Sequence, residues 1–192
     1  MKKVALFATI VMALALCASA QQMIDFTHLP DTGTPASIPS GYSGLNWSGL
    51  DYVDAITYND ANGNPNIGAG FYTGPEVMVA FGGGPLCFPN YGAAKADGVA
   101  TKHICSVEIS AGLGPTALSH FQANFAIMSA GWIGGSITVQ AYNNGVQVGS
   151  DEHYSLTTNT QRIDFPNWGQ ITELRITPGP RASFVLYVLQ VQ

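Results

Sequence analysis

Apolar and polar residues alternate in short runs along most of this chain, and from Gln21 onward helical spacing is nearly absent. Gly, Pro and Asn separate the runs. A short strand is predicted over Ile24–Leu29, followed by a lead-in kept extended or turning by Pro30, Gly33, Pro35 and Pro39. Leu45–Tyr58 reads as a strand region kinked near Gly49, and Tyr58–Gly70 as a long loop. Glu76–Phe81 alternates and stops at Gly82-Gly83-Gly84-Pro85. His103–Ile109 alternates next, which places Cys105, Val107 and Ile109 near the core. Ser119–Trp132 also has period two, with Phe121, Ala123, Phe125 and Ile127 sharing a face, so a strand is predicted and not a helix.

The C-terminal half is the clearest. Ser136–Tyr142 and Val146–Gly149 flank Asn143-Asn144-Gly145, and an Asn-Gly step between alternating runs marks a tight hairpin. Thr158–Phe165, Ile171–Thr177 and Ser183–Val191 complete the series, the last two separated by Pro178-Gly179-Pro180. About nine strands at this spacing predict an all-β, single-domain antiparallel β-sandwich. No internal repeat, linker or second domain is visible in the sequence.

The first twenty residues follow a different pattern. Lys2 and Lys3 precede the uncharged run Val4–Cys17, and Ala18-Ser19-Ala20 has the small-x-small form of a cleavage site. The run falls short of the roughly 20 apolar residues a bilayer span needs. The expected organisation is a signal peptide over 1–20 and a β-sandwich over 21–192, secreted and without a transmembrane segment after cleavage. Leu16 before Cys17 argues against a lipid-anchor cysteine.

Composition narrows the partners. Losing Lys2 and Lys3 takes the formal charge from −5 to −7, with five Lys and Arg left against twelve carboxylates. Nucleic acid and anionic membranes need clustered basic residues, so neither is expected as a partner. Neutral extracellular glycans or cell-wall polymers fit better. The two cysteines left after cleavage, Cys87 and Cys105, form a disulfide in an oxidising compartment. Closing a loop of that size is worth about 3 kcal/mol. The alternative is a pair of buried free thiols.

Several segments resemble a known group. Ile24-Asp25-Phe26 and Ile38-Pro39-Ser40-Gly41-Tyr42-Ser43-Gly44-Leu45-Asn46-Trp47-Ser48 are similar to the opening of small secreted β-sandwich proteins of fungi and of bacterial PEP-CTERM-type surface proteins. Phe125–Trp132, Ile137–Gly145, and Ile163-Asp164-Phe165 through Leu174-Arg175-Ile176 resemble later strands of that group. The resemblance covers most of the mature chain and implies a jelly-roll, galactose-binding-like fold. It implies no particular activity, since most members have none assigned. The chain departs from the group at Phe184-Val185-Leu186-Tyr187-Val188, where an acidic-amide pair is usual, so no ion or ligand role of that pair carries over.

Candidate chemistry is thin. Glycan hydrolysis needs two carboxylates facing each other across a bond. Asp51 and Asp54 are three apart and point to opposite faces of a strand, Glu108 is out of phase with Val107 and Ile109, and Asp151 and Glu152 read as solvated charges. There is no Gly-x-Ser-x-Gly elbow, and His28, His103, His120 and His153 have no zinc-site spacing. The expectation is therefore a non-catalytic protein without a cofactor. A polysaccharide-active enzyme rests on fold analogy alone.

Binding has better support. Asp60, Asn62 and Asn64 alternate in a loop and are a candidate calcium set, but with one carboxylate and no closing glutamate a polar turn-rich loop is the better explanation. Sugars stack on exposed aromatics and bond to amides. Trp47, Tyr52, Tyr58, Tyr72, Tyr91, Trp132 and Trp168 lie at loops or strand ends. Trp47 and Trp132 are weighted toward the core. Tyr58, Tyr72 and Tyr91, with Asn62 and Asn64, form the candidate binding rim. Asn46 begins the sole N-x-S/T sequon and is a glycan acceptor if the chain is eukaryotic. The expected function is a secreted carbohydrate- or cell-wall-binding protein, with a cell-surface structural or interaction protein as the alternative.

Overall fold

Two antiparallel sheets pack face to face, a β-sandwich, in the computed structural model, which describes residues 21–56, 74, 78–82, 106–112, 117–131, 134–179 and 182–192. The strands are β1 (Gln22–Ile24), β2 (Ala36–Ser37), β3 (Leu45–Ser48), β4 (Asp51–Asp54), β5 (Met78–Gly82) and β6 (Val107–Ala111). They continue with β7 (Ala123–Ala130), β8 (Gly135–Asn143), β9 (Val146–Leu156), β10 (Gln161–Asp164), β11 (Glu173–Pro178) and β12 (Phe184–Val191). A seven-stranded sheet runs β10-β7-β12-β5-β4-β2, with β1 also paired to β12. A five-stranded sheet runs β3-β6-β11-β8-β9. Consecutive strands repeatedly change sheet, as in a jelly roll. No helix among the described residues is long and apolar enough to cross a membrane.

The predicted kink at Gly49 is where the chain leaves one sheet for the other. β3 belongs to the five-stranded sheet and β4 to the seven-stranded one. Gly49 turns the corner at φ 75°, and a Cβ there would stand 3.1 Å from the Ser106 carbonyl oxygen. Only glycine meets both demands cheaply.

The inner faces interdigitate. Phe26, Leu45, Ile109, Phe121, Met128, Leu174, Phe184 and Leu186 are fully buried between the sheets. Each such side chain contributes about 2 kcal/mol of burial. Val107 and Ile109 face this core, as their alternation predicts. Trp47 joins it edge-on to Phe26, with ring centroids 5.6 Å apart. Its indole N–H donates to the Tyr42 carbonyl at 2.9 Å, so the buried polar end is satisfied.

The first strand lies earlier than expected. Asp25 ends β1 by forming a local turn: its Oδ1 accepts from the Thr27 N–H at 3.1 Å and from the Thr27 hydroxyl at 2.7 Å. The Leu29 N–H then donates to the Phe26 carbonyl. An Asp side chain competing for nearby backbone donors outweighs the β pattern of Phe26 and Leu29.

The phase of β7 is also corrected. Phe121 and Ala123 face the core, but Phe125 and Ile127 do not. The register slips twice against β12: Val191 faces Ala123 while Gln190 faces Phe125, and Leu186 faces Met128 while Val188 faces Ile127. The first slip leaves Asn124 as the extra residue, and the second leaves Tyr187. A one-residue slip transfers every later side chain to the other face. Ala126, Met128 and Ala130 therefore fill the core. Phe125 turns outward beneath the Arg162 guanidinium, 3.6 Å from the ring centroid.

Candidate functional site

The two sheets differ on their outward sides. Outside the seven-stranded sheet Val53, Ala55, Val79, Val185, Tyr187 and Val188 form a second buried apolar cluster. Gly74 stands directly over Tyr187: a Cβ on it would fall 2.0 Å from the Tyr187 ring. This face is occupied by the chain itself and offers no open platform at those residues.

Outside the five-stranded sheet the residues are polar and largely half-exposed. Cross-strand register sets them in rows. One row is Asn46, Ser110, Glu173, Tyr142 and Gln147. The next is Ser48, Glu108, Arg175 and Gln140, and a third holds Thr177, Thr138 and His153. Each comes from the outward phase of a strand whose other phase builds the core, so the alternation that makes the sandwich also makes this face.

Arg175 organises the middle. Its Nη2 donates to Glu173 Oε1 at 2.6 Å and lies 3.4 Å from Glu108 Oε1. Its guanidinium carbon sits 4.7 Å from the centroid of the Tyr142 ring. Burial works against the charge, but Glu173, Tyr142 and Glu108 outweigh it and shift the Arg175 pKa up. Two glutamates on neighbouring strands thus share one guanidinium, which stands between their carboxylates.

At the β9 edge Asp151 Oδ1 accepts from the Gln140 amide at 2.8 Å and from the Gln147 amide at 2.7 Å. These bonds, the first of them largest, hold the exposed carboxyl below its ordinary pKa, with a smaller contribution from His153. The geometry depends on a bulge: Val139 faces Glu152 but Ala141 faces Val148, which leaves Gly149–Asp151 opposite Gln140 alone. Gly149 adopts φ 74° there. Next along, Thr138 Oγ1 and His153 Nδ1 are 3.1 Å apart. At the opposite edge Asn46 Nδ2 donates to the Ala111 carbonyl at 3.1 Å, and its Oδ1 accepts from the Ser40 hydroxyl at 2.8 Å. The sequon amide therefore fastens β3 and faces the same platform.

The hairpin behind Tyr142 is the one its sequence predicts, with Asn144 at φ 49° and Gly145 at φ 78°. Both values fit a type I′ turn. The hairpin is tied to β11 through Thr172, whose hydroxyl accepts from the Asn144 N–H at 2.8 Å.

Few of the residues singled out from the sequence can be placed on this face. Tyr58, Asp60, Asn62, Asn64, Tyr72, Cys87, Tyr91, His103, Cys105 and Trp132 are outside the described residues. Trp47, Tyr52 and Trp168 are at least nine-tenths buried, which removes them from any stacking surface. Trp168 stacks instead on Phe165, with centroids 5.7 Å apart. Asp51 and Asp54 lie on opposite faces of β4, as expected; Asp51 accepts from the Ser37 hydroxyl and Asp54 from the Ile56 N–H. Asp151 and Glu152 lie inside β9, which runs past the predicted end at Gly149 to Leu156. His28, His120 and His153 are exposed and dispersed. Among the described residues no three His, Cys, Asp or Glu side chains gather to hold a metal ion.

Glu173, Arg175 and Tyr142 are not among the site candidates that the sequence offers. The available signal was the outward phase of Glu173-x-Arg175 and Gln140-x-Tyr142, but their neighbours across the sheet depend on register. No protein-family model and no curated protein matches the chain.

Proposed function

We propose that this is a secreted, non-catalytic β-sandwich protein that binds carbohydrate or cell-wall material on the outward side of its five-stranded sheet. The observation that carries the reading is that face: hydroxyls, amides, carboxylates, one arginine and one tyrosine in register across five strands. Polyols are recognised by such mixed donors and acceptors placed on a rigid scaffold. The resemblance to secreted β-sandwich proteins and the leader-like Met1–Ala20 support the same reading. Arg175 standing between Glu108 and Glu173 supports binding over hydrolysis. A glycan array together with pull-down on insoluble polysaccharides tests it; retention is expected, and silence in both removes it.

The burial of Trp47, Tyr52 and Trp168 favours a second reading, a cell-surface interaction protein without a sugar site. That reading stands if the arrays are silent while the protein still adheres to cells.

A further inference from the structure

The charges of the polar face select among glycans. Glu108, Glu173 and Asp151 stand there against one guanidinium, that of Arg175. Arg175 is engaged by both glutamates and by the Tyr142 ring. The other arginine among the described residues, Arg162, belongs to the seven-stranded sheet, tied to Asp164 at 2.7 Å and lying over Phe125. A polyanionic glycan therefore meets three carboxylates, against an arginine that two of them engage and the His153 imidazole beside the Thr138 hydroxyl.

A cationic glycan meets the reverse. The Glu108 side chain is 46% exposed, and Asp151 is exposed with its Oδ1 fixed by two amide donors. Gln140, Thr138 and Ser110 supply amide and hydroxyl groups between the charges. Five strands about 4.8 Å apart span about 20 Å, which suits an extended polymer better than a single sugar.

We infer that the polymer taken on this face carries free amino groups: a polysaccharide of 2-amino-2-deoxy sugars in unacetylated form, its ammonium groups directed to Asp151 and Glu108 and its hydroxyls to the amides and hydroxyls between them. The inference rests on the carbohydrate-binding reading above and adds the charge class.

The test is pull-down of the full chain on a deacetylated glucosamine polymer, at a pH where its amines are protonated. The same backbone fully acetylated, a polyuronate and polylysine are run beside it. Retention is expected on the deacetylated polymer, weakly or not at all on the other three. It should fall severalfold when salt rises from about 0.1 M to about 1 M, as the Debye length shrinks from about 10 Å to about 3 Å. Asp151→Asn should weaken retention about twofold to fivefold with an unchanged circular-dichroism spectrum. Equal, salt-insensitive retention on acetylated and deacetylated polymers overturns the charge class and leaves carbohydrate binding standing. Retention on polylysine as strong as on the amino-glycan overturns a sugar as the occupant. No retention on any polysaccharide removes the carbohydrate reading itself.

Discussion

The outward sides of the two sheets carry opposite chemistries on the same scaffold. Behind the seven-stranded sheet Val79, Val185 and Tyr187 are completely buried; behind the five-stranded sheet Glu108, Glu173, Arg175, Gln140 and Tyr142 are half-exposed. A strand buried on both faces needs no alternation, and β12 has little: Phe184–Leu189 is apolar at every position. A strand with one wet face must alternate, and β8 does so from Ser136 to Tyr142. The middle of one sheet is therefore buried on both sides, and the other sheet keeps one side as a surface on which recognition can occur.

The largest test of this contrast is a charge placed on each side. Val185→Asp buries an unpaired carboxylate and should cost about 3–5 kcal/mol, whereas Thr177→Asp on the polar face should stay within about 0.5 kcal/mol. Denaturant midpoints read both, and similar losses from the two would break the contrast. Next is Gly74→Ala, whose added methyl would overlap the buried Tyr187 ring. Overpacking of that kind costs about 1–3 kcal/mol; an unchanged melting curve would mean that the cover over Tyr187 yields freely.

Arg175→Met should cost less, about 1 kcal/mol, because the ion pairs it makes are solvent-screened. A loss as large as that of Val185→Asp would mark the polar face as a second core. The smallest effect concerns acid. Hydrogen bonds from Gln140 and Gln147 hold the Asp151 carboxyl below its ordinary pKa. Its contribution is therefore complete above the unfolded-state pKa and fades as pH falls through the lower folded-state value. The stability gap between wild type and Asp151→Asn should close in that acid range; a gap that stays constant with pH would show that the amides do not act on the charge.

How much of this was legible in the sequence depends on whether the cause was local. The Asn144-Gly145 turn, the break at Gly49 and the inward phase of Val107 and Ile109 follow from neighbouring residues, and the structure has all three. The turn set by Asp25 was locally encoded too, but the apolar residues after it masked it. The inversion in β7 was not legible, because its slips arise from pairing with a strand about sixty residues away. The same holds for the platform. Glu108 and Arg175 become neighbours only through the register of β6 on β11. The apolar run of β12, without alternation from Phe184 to Leu189, is the local signal of a strand buried on both faces.

Gly149 has an effect well away from the sugar question. β9 is an eleven-residue margin strand, and no described strand pairs with its far side. Straight margins of that length invite copies of a chain to zip together. The bend at Gly149, with the negative charges of Asp151 and Glu152 just beyond it, breaks the row of unpaired amides that an incoming copy would need to match. The distortion that aims Asp151 at two glutamines thus also acts against fibre growth at high local concentration.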